Sequence, residues 1–307
     1  MRWWTGVVVL LAAGVGSAAP VDPSGPGRFA VGVTSVDLVD TDRDNRVIRT
    51  EIWYPGRSAV RDAPFVKRRF PLIVFVHGNC GSRDNYEYLT THLAGHGFVV
   101  AAPDIRGYFA GDCNPSASGT PRRDDPWRDL SFVRAAFHDR RSPLAPFRRL
   151  VRGQRTGLAG HSLGGVWAQQ AMLADARFTA VALLATLPVQ DDIVVPAPSR
   201  ATVVLGATDD DLLPYEDFSL PLFQALAAPT FLVKVVGGTH SGFTDVDANL
   251  APGSLQRQQA IVRRYVTALF LWALAGRRSA VRYLTPEDAQ QFGDDLALTA
   301  RRHAPAR

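Results

Sequence analysis

The chain has 307 residues, 46% of them apolar, which is enough for one large α/β domain or two small ones with a real core. Its formal charge of +5 comes almost wholly from arginine, since Lys67 and Lys234 are the only lysines. The arginines stand in scattered pairs such as Arg68-Arg69, Arg148-Arg149 and Arg277-Arg278. They form no continuous basic stripe with interleaved aromatics, which excludes a nucleic-acid reading in favour of solvated surface; weak attraction to anionic surfaces is compatible with it.

Arg2, the apolar run Val7 to Ala13 and the small residues Ser17-Ala18-Ala19 read as a secretory leader over 1–19, too short to span a bilayer comfortably. Export to the periplasm or medium, with no membrane span after cleavage, is the expectation. A Pro/Gly-rich lead covers 20–28. Phe29 to Asp40 and Val47 to Tyr54, joined by Asp42-Arg43-Asp44-Asn45, predict an antiparallel hairpin. Leu72 to Val76 is an uninterrupted apolar run, the mark of a strand buried on both faces; 98–102, 180–184, 201–205 and 231–236 repeat that pattern, and 156–159 is a further β-prone run. Helix-like segments fall between them near 85–95, 127–138, 163–175 and 216–227, and a long one at 255–275. The order predicts one α/β domain over 29–285, a mostly parallel sheet with helices on both faces. After Pro286 the chain reads as a polar tail, 286–307, with a loosely docked helix.

Gly160-His161-Ser162-Leu163-Gly164 stands between a β-prone run and a helix-forming one, the strand–turn–helix context of a G-x-S-x-G nucleophile elbow. A serine hydroxyl needs an adjacent base, and the base needs an orienting acid; in this context the chain order is serine, acid, histidine. His240 is the candidate base, because it alone follows a buried strand downstream of Ser162. His77, His92, His96, His138 and His161 precede or adjoin the serine, and His303 lies in the tail. The acid comes from Asp209-Asp210-Asp211 after the strand 201–205; Asp210 is preferred, four residues before Pro214, with Asp209 as the alternative. An oxyanion needs backbone N–H donors: that of Leu163, after the nucleophile, and that of Asn79 in His77-Gly78-Asn79-Cys80-Gly81. His77 reads as a structural hydrogen bonder and His161 as a wall or positioning residue. Cys80 and Cys113, the only cysteines of an exported chain, predict a disulfide closing a loop of about 33 residues.

His77 to Gly81, Tyr86 through Gly97-Phe98-Val99-Val100-Ala101-Ala102-Pro103-Asp104, and Gly160 to Gly165 together resemble the α/β-hydrolase superfamily over roughly 30–275. Ile52-Trp53-Tyr54-Pro55 and Gly238 to Asp245 are similar to bacterial relatives of platelet-activating-factor acetylhydrolase, and the Asp210-to-Pro214 spacing to cutinase-like polyester hydrolases. The resemblance implies hydrolysis of carboxylic esters through an acyl-enzyme, with no metal or organic cofactor; a small or polymeric ester as substrate and a monomer as the working unit are the expectation. Cys80 in the oxyanion loop and the long polar segment Tyr108 to Trp127 depart from the family pattern. About a dozen residues separate Thr186 from Ala201, which leaves no room for a large cap and predicts an open cleft, with Tyr108, Phe109 or Trp127 as candidate walls. An amide-hydrolysing relative and an inactive hydrolase fold used for binding are the alternatives.

Overall fold

The computed structural model describes residues 22–113, 126–189, 200–245 and 253–302. The leader, most of the polar segment before Trp127, and most of the short Thr186–Ala201 connection lie outside them. The hairpin forms as its pattern predicts: β1 (Ala30–Asp40) pairs with β2 (Arg46–Gly56) over eleven residues. Its turn places Asp44 and Asn45 at φ 58° and 51°, a left-handed conformation that these side chains tolerate better than most.

The apolar runs become β3 (Phe70–Val76), β4 (Val99–Pro103), β5 (Val151–His161), β6 (Phe178–Leu184), β7 (Ala201–Ala207) and β8 (Thr230–Val235). They lie in the order β1-β2-β4-β3-β5-β6-β7-β8-β9. From β4 to β8 every pairing is parallel. The helices are α1 (Glu87–Gly95), α2 (Pro126–Ala136), α3 (Leu163–Ala174), α4 (Ser219–Ala225) and α5 (Ser254–Ala273).

Alternation along β3 shows how the layers assemble. Ile73 and Phe75 pack with Leu89, Leu93 and Phe270 of α1 and α5. Leu72, Val74 and Val76 face the other way, toward Leu130, Trp167, Met172 and Phe223 of α2, α3 and α4. A strand with helices on both faces has no polar side, which is why its sequence runs apolar without a break.

The C-terminal segment differs from the sequence reading. It is not a loosely docked helix. A single turn at Pro286–Ala289 is capped by Thr285, whose Oγ1 accepts the Asp288 N–H at 3.1 Å. The chain then forms β9 (Leu296–Arg301), antiparallel to β8, with Leu296 and Leu298 buried on one face. Ala297, Thr299 and Arg301 at the alternate positions are less buried, which gives this half-exposed edge strand its tail-like composition.

Candidate active site

The elbow is built by close approach. β5 ends at His161, α3 begins at Leu163, and Ser162 between them has φ 54° and ψ −127°. A Cβ on Gly160 would stand 2.5 Å from the Gly164 carbonyl oxygen, and one on Gly164 would stand 2.4 Å from that of His77. Only backbone hydrogens fit at either position, so the serine is held in a strained conformation by contacts on both sides. The turn is further tied by Ser162 N–H to the Leu184 carbonyl at 2.9 Å, and by Thr186 Oγ1 to the Ser162 carbonyl at 2.7 Å.

Asp210 and His240 meet across two strand ends. His240 Nδ1 lies 2.8 Å from Asp210 Oδ2. A carboxylate only accepts, so Nδ1 carries the proton and Nε2 keeps its lone pair. Asp210 Oδ1 accepts the N–H groups of Leu212 and Leu213 at 3.0 and 2.7 Å. Asp210 is buried, whereas Asp209 and Asp211 are exposed, and Asp209 takes a hydrogen bond from Thr208 Oγ1. The His240 ring packs at 4.6 Å on that of His161, the residue before the serine. No hydrogen bond joins Ser162 Oγ to His240 among the described residues. Such contacts are commonly long without substrate and tighten on binding.

The loop after β3 borders the serine: a Cβ on Gly78 would lie 3.1 Å from Ser162 Cβ. The Asn79 N–H has no partner among the described residues, and Leu163, at the first turn of α3, has no helical carbonyl to donate to. His77 is structural. The Ile105 N–H donates to its Nε2 at 2.9 Å, so Nδ1 carries the proton and donates to the Gly78 carbonyl at 2.7 Å. Cys80 is bonded to Cys113, with Cα atoms 5.2 Å apart. Cys80 N–H to Tyr108 O and Ala110 N–H to Gly81 O lay the loops after β3 and β4 side by side. Tyr108 packs edge-on against Trp167 at 4.8 Å, and Trp127 packs with the same core face, so both serve the interior.

The family profile described as "Alpha/beta hydrolase family" matches residues 73–306. The chain belongs to the α/β-hydrolase family. No curated protein sequence matches it. Among solved structures it is similar to a ferulic acid esterase from Streptomyces cinnamoneus, at 25% identity and a TM-score of 0.68, over 82% of this chain and 93% of that one. The α/β-hydrolase fold is therefore common to both, and the family match runs through β9.

Several positions in this α/β hydrolase gain roles that the sequence reading does not assign. Gln258, buried on α5, clamps the residue before His240: its Oε1 accepts the Thr239 N–H at 3.1 Å and its Nε2 donates to the Thr239 carbonyl at 3.0 Å. Gln258 and Gln259 on the buried side of α5 are the signal that could have marked it. Tyr86 is the second. Its hydroxyl accepts the Gly78 N–H at 3.0 Å and lies 2.9 Å from His161 Nδ1. Burial keeps the Tyr86 hydroxyl protonated, and it donates a hydrogen bond to Nδ1 of the neutral imidazole. Burial holds the His161 imidazole well below its ordinary range; the His240 imidazole adds to this and the His240 carbonyl opposes it. His161 is thus a neutral spacer between the oxyanion loop and the His240 loop.

Proposed function

We propose that this α/β hydrolase is an exported serine hydrolase that cleaves carboxylic esters. Ser162 Oγ attacks the ester carbonyl while His240 Nε2 takes its proton, and Asp210 keeps the imidazole in the required tautomer and stabilises the imidazolium. The N–H groups of Asn79 and Leu163 receive the oxyanion. Collapse of the tetrahedral intermediate expels the alcohol, which takes the proton from His240. Water activated by the same imidazole then releases the acid and frees Ser162.

The observation that carries this reading is the 2.8 Å bond between His240 Nδ1 and an Asp210 carboxylate whose other oxygen is already filled by two backbone N–H groups. A carboxylate so fixed cannot swing to water, so the base it holds is oriented before substrate arrives. The similarity to a protein named a ferulic acid esterase supports an ester substrate. The leader-like Val7 to Ala13 run and the Cys80–Cys113 bond support export. The test is intact-mass measurement after treatment with an organophosphonate, alongside turnover of p-nitrophenyl esters of increasing acyl length. One adduct, absent from Ser162→Ala, together with ester turnover is expected. Labelling at another residue would overturn the assignment of the nucleophile, and turnover of anilides alone would overturn the ester reading.

A further inference from the structure

The amino ends of the parallel strands, at the far side of the sheet from Ser162, carry cations without acidic partners. Arg28, Lys67, Arg68, Arg69, Arg149 and Arg277 are all exposed, and none forms an ion pair among the described residues. Other arginines are matched: Arg46 to Asp129, Arg83 to Asp104, Arg264 to Asp288. The six at this pole are contiguous. Phe70 N–H bonds the Leu150 carbonyl at 2.7 Å, which brings Lys67 to Arg69 beside Arg149, and Phe29 stacks on Phe70 at 5.1 Å, which brings Arg28 to the same end. Burial and the repulsion of Arg68 and Arg277 depress the Arg28 guanidinium, so these three charges share one field.

Between the charges lie two hollows. Phe65, Val66 and Leu150 line a hollow of about 410 Å³ rimmed by Lys67, Arg68, Arg69 and Arg149. A second, of about 290 Å³, lies under Arg28 and Arg277 with Pro26 and Leu271. Asp22 and His96 also line the second hollow.

We propose that this pole is a docking surface for an anionic phospholipid bilayer. Phosphates would sit against the guanidinium groups, with the apolar hollows at the level of the glycerol and upper acyl region. A nucleic acid would want exposed aromatic rings interleaved with the cations for stacking; here the intervening residues form hollows instead. β3 spans about 20 Å from Phe70 to Val76, so Ser162 faces away from the docked surface. A bound molecule therefore takes substrate from solution and not from the bilayer that holds it. The inference stands apart from the catalytic reading.

The test is flotation of the full-length protein with vesicles of phosphatidylcholine, with and without a minor share of phosphatidylglycerol, at low and high salt. Any contribution of the N-terminal segment appears equally with neutral vesicles and is subtracted. The expected result is salt-sensitive binding that requires phosphatidylglycerol and falls about 100-fold in Arg28→Gln/Arg68→Gln/Arg149→Gln, at about 1 kcal/mol for each cation lost. A matched triple at ion-paired sites, Arg49→Gln/Arg61→Gln/Arg257→Gln, should bind as the parent does. Lys67→Gln/Arg69→Gln/Arg277→Gln repeats the loss if the first triple is poorly folded. Undiminished binding by both pole variants, equal binding to neutral vesicles, or retention on polyphosphate or DNA with none on anionic vesicles would each overturn the proposal.

Discussion

Tyr86 and His161, 75 positions apart, are joined by a 2.9 Å hydrogen bond that connects the loop after β3 to the ring stacked on His240. Tyr86→Phe removes one oxygen and strands the buried Gly78 N–H and His161 Nδ1. A loss of about 1–3 kcal/mol in urea unfolding is expected, the cost of unsatisfied buried groups. A kcat that falls while KM holds would mark the positioning role, since a packing defect alone has no reason to act on the transition state selectively.

Asp210→Asn keeps the shape and loses the tautomer control. A fall in kcat on the order of 10⁴ is expected, with the thermal midpoint little changed. Asp209→Asn, at an exposed carboxylate bonded to Thr208, should stay within about threefold of the parent. If the two variants exchange these behaviours in ester assays, the acid is Asp209.

The disulfide closes a loop with a sequence separation of 33. Cys80→Ser/Cys113→Ser should lower stability by about 3–4 kcal/mol in the chain-entropy picture. Because Cys80 adjoins Asn79, ester turnover under reducing conditions should fall before the protein unfolds, which parallel activity and near-ultraviolet dichroism traces would reveal.

His92 gives the fold an acid-sensitive limb. Its Nε2 donates to the Pro23 carbonyl at 2.8 Å, and burial, aided by the neighbouring His96, lowers its pKa from the ordinary 6.5 to about 4. The unfolded chain thus binds more protons than the folded one between these values. Stability is full above about pH 6.5, declines as pH falls toward 4, and has no further loss from this group below that. The whole effect amounts to about 3 kcal/mol. Urea midpoints of the parent and of His92→Gln, compared across this window, should converge as the pH drops.

Much of this architecture is legible in the chain because its signals are local. Runs such as Leu72 to Val76 declare strands buried on both faces, and the spacing of Gly160 and Gly164 around Ser162 declares a turn too tight for side chains. Asp210 and Asp209 are not separated by such signals, because the distinction is burial: one carboxylate points under the loop to His240 and its neighbour points to water. Gln258 and Tyr86 act on residues far away in sequence, and a lone polar side chain in a helix says nothing of its partner. The final strand is hidden by its own exposure, since only Leu296 and Leu298 face the interior.

That final strand has a bearing on how the protein must be handled. β9 is the sole neighbour on the outer side of β8, the strand that leads to His240. Cutting the chain before Leu296 would bare a row of unpaired peptide groups along a hydrophobic ribbon, a ready template for pairing with another molecule. Truncation or a bulky fusion there should produce aggregates rather than a smaller working enzyme, and newly made chains stay exposed to that hazard until β9 has been synthesised and paired with β8.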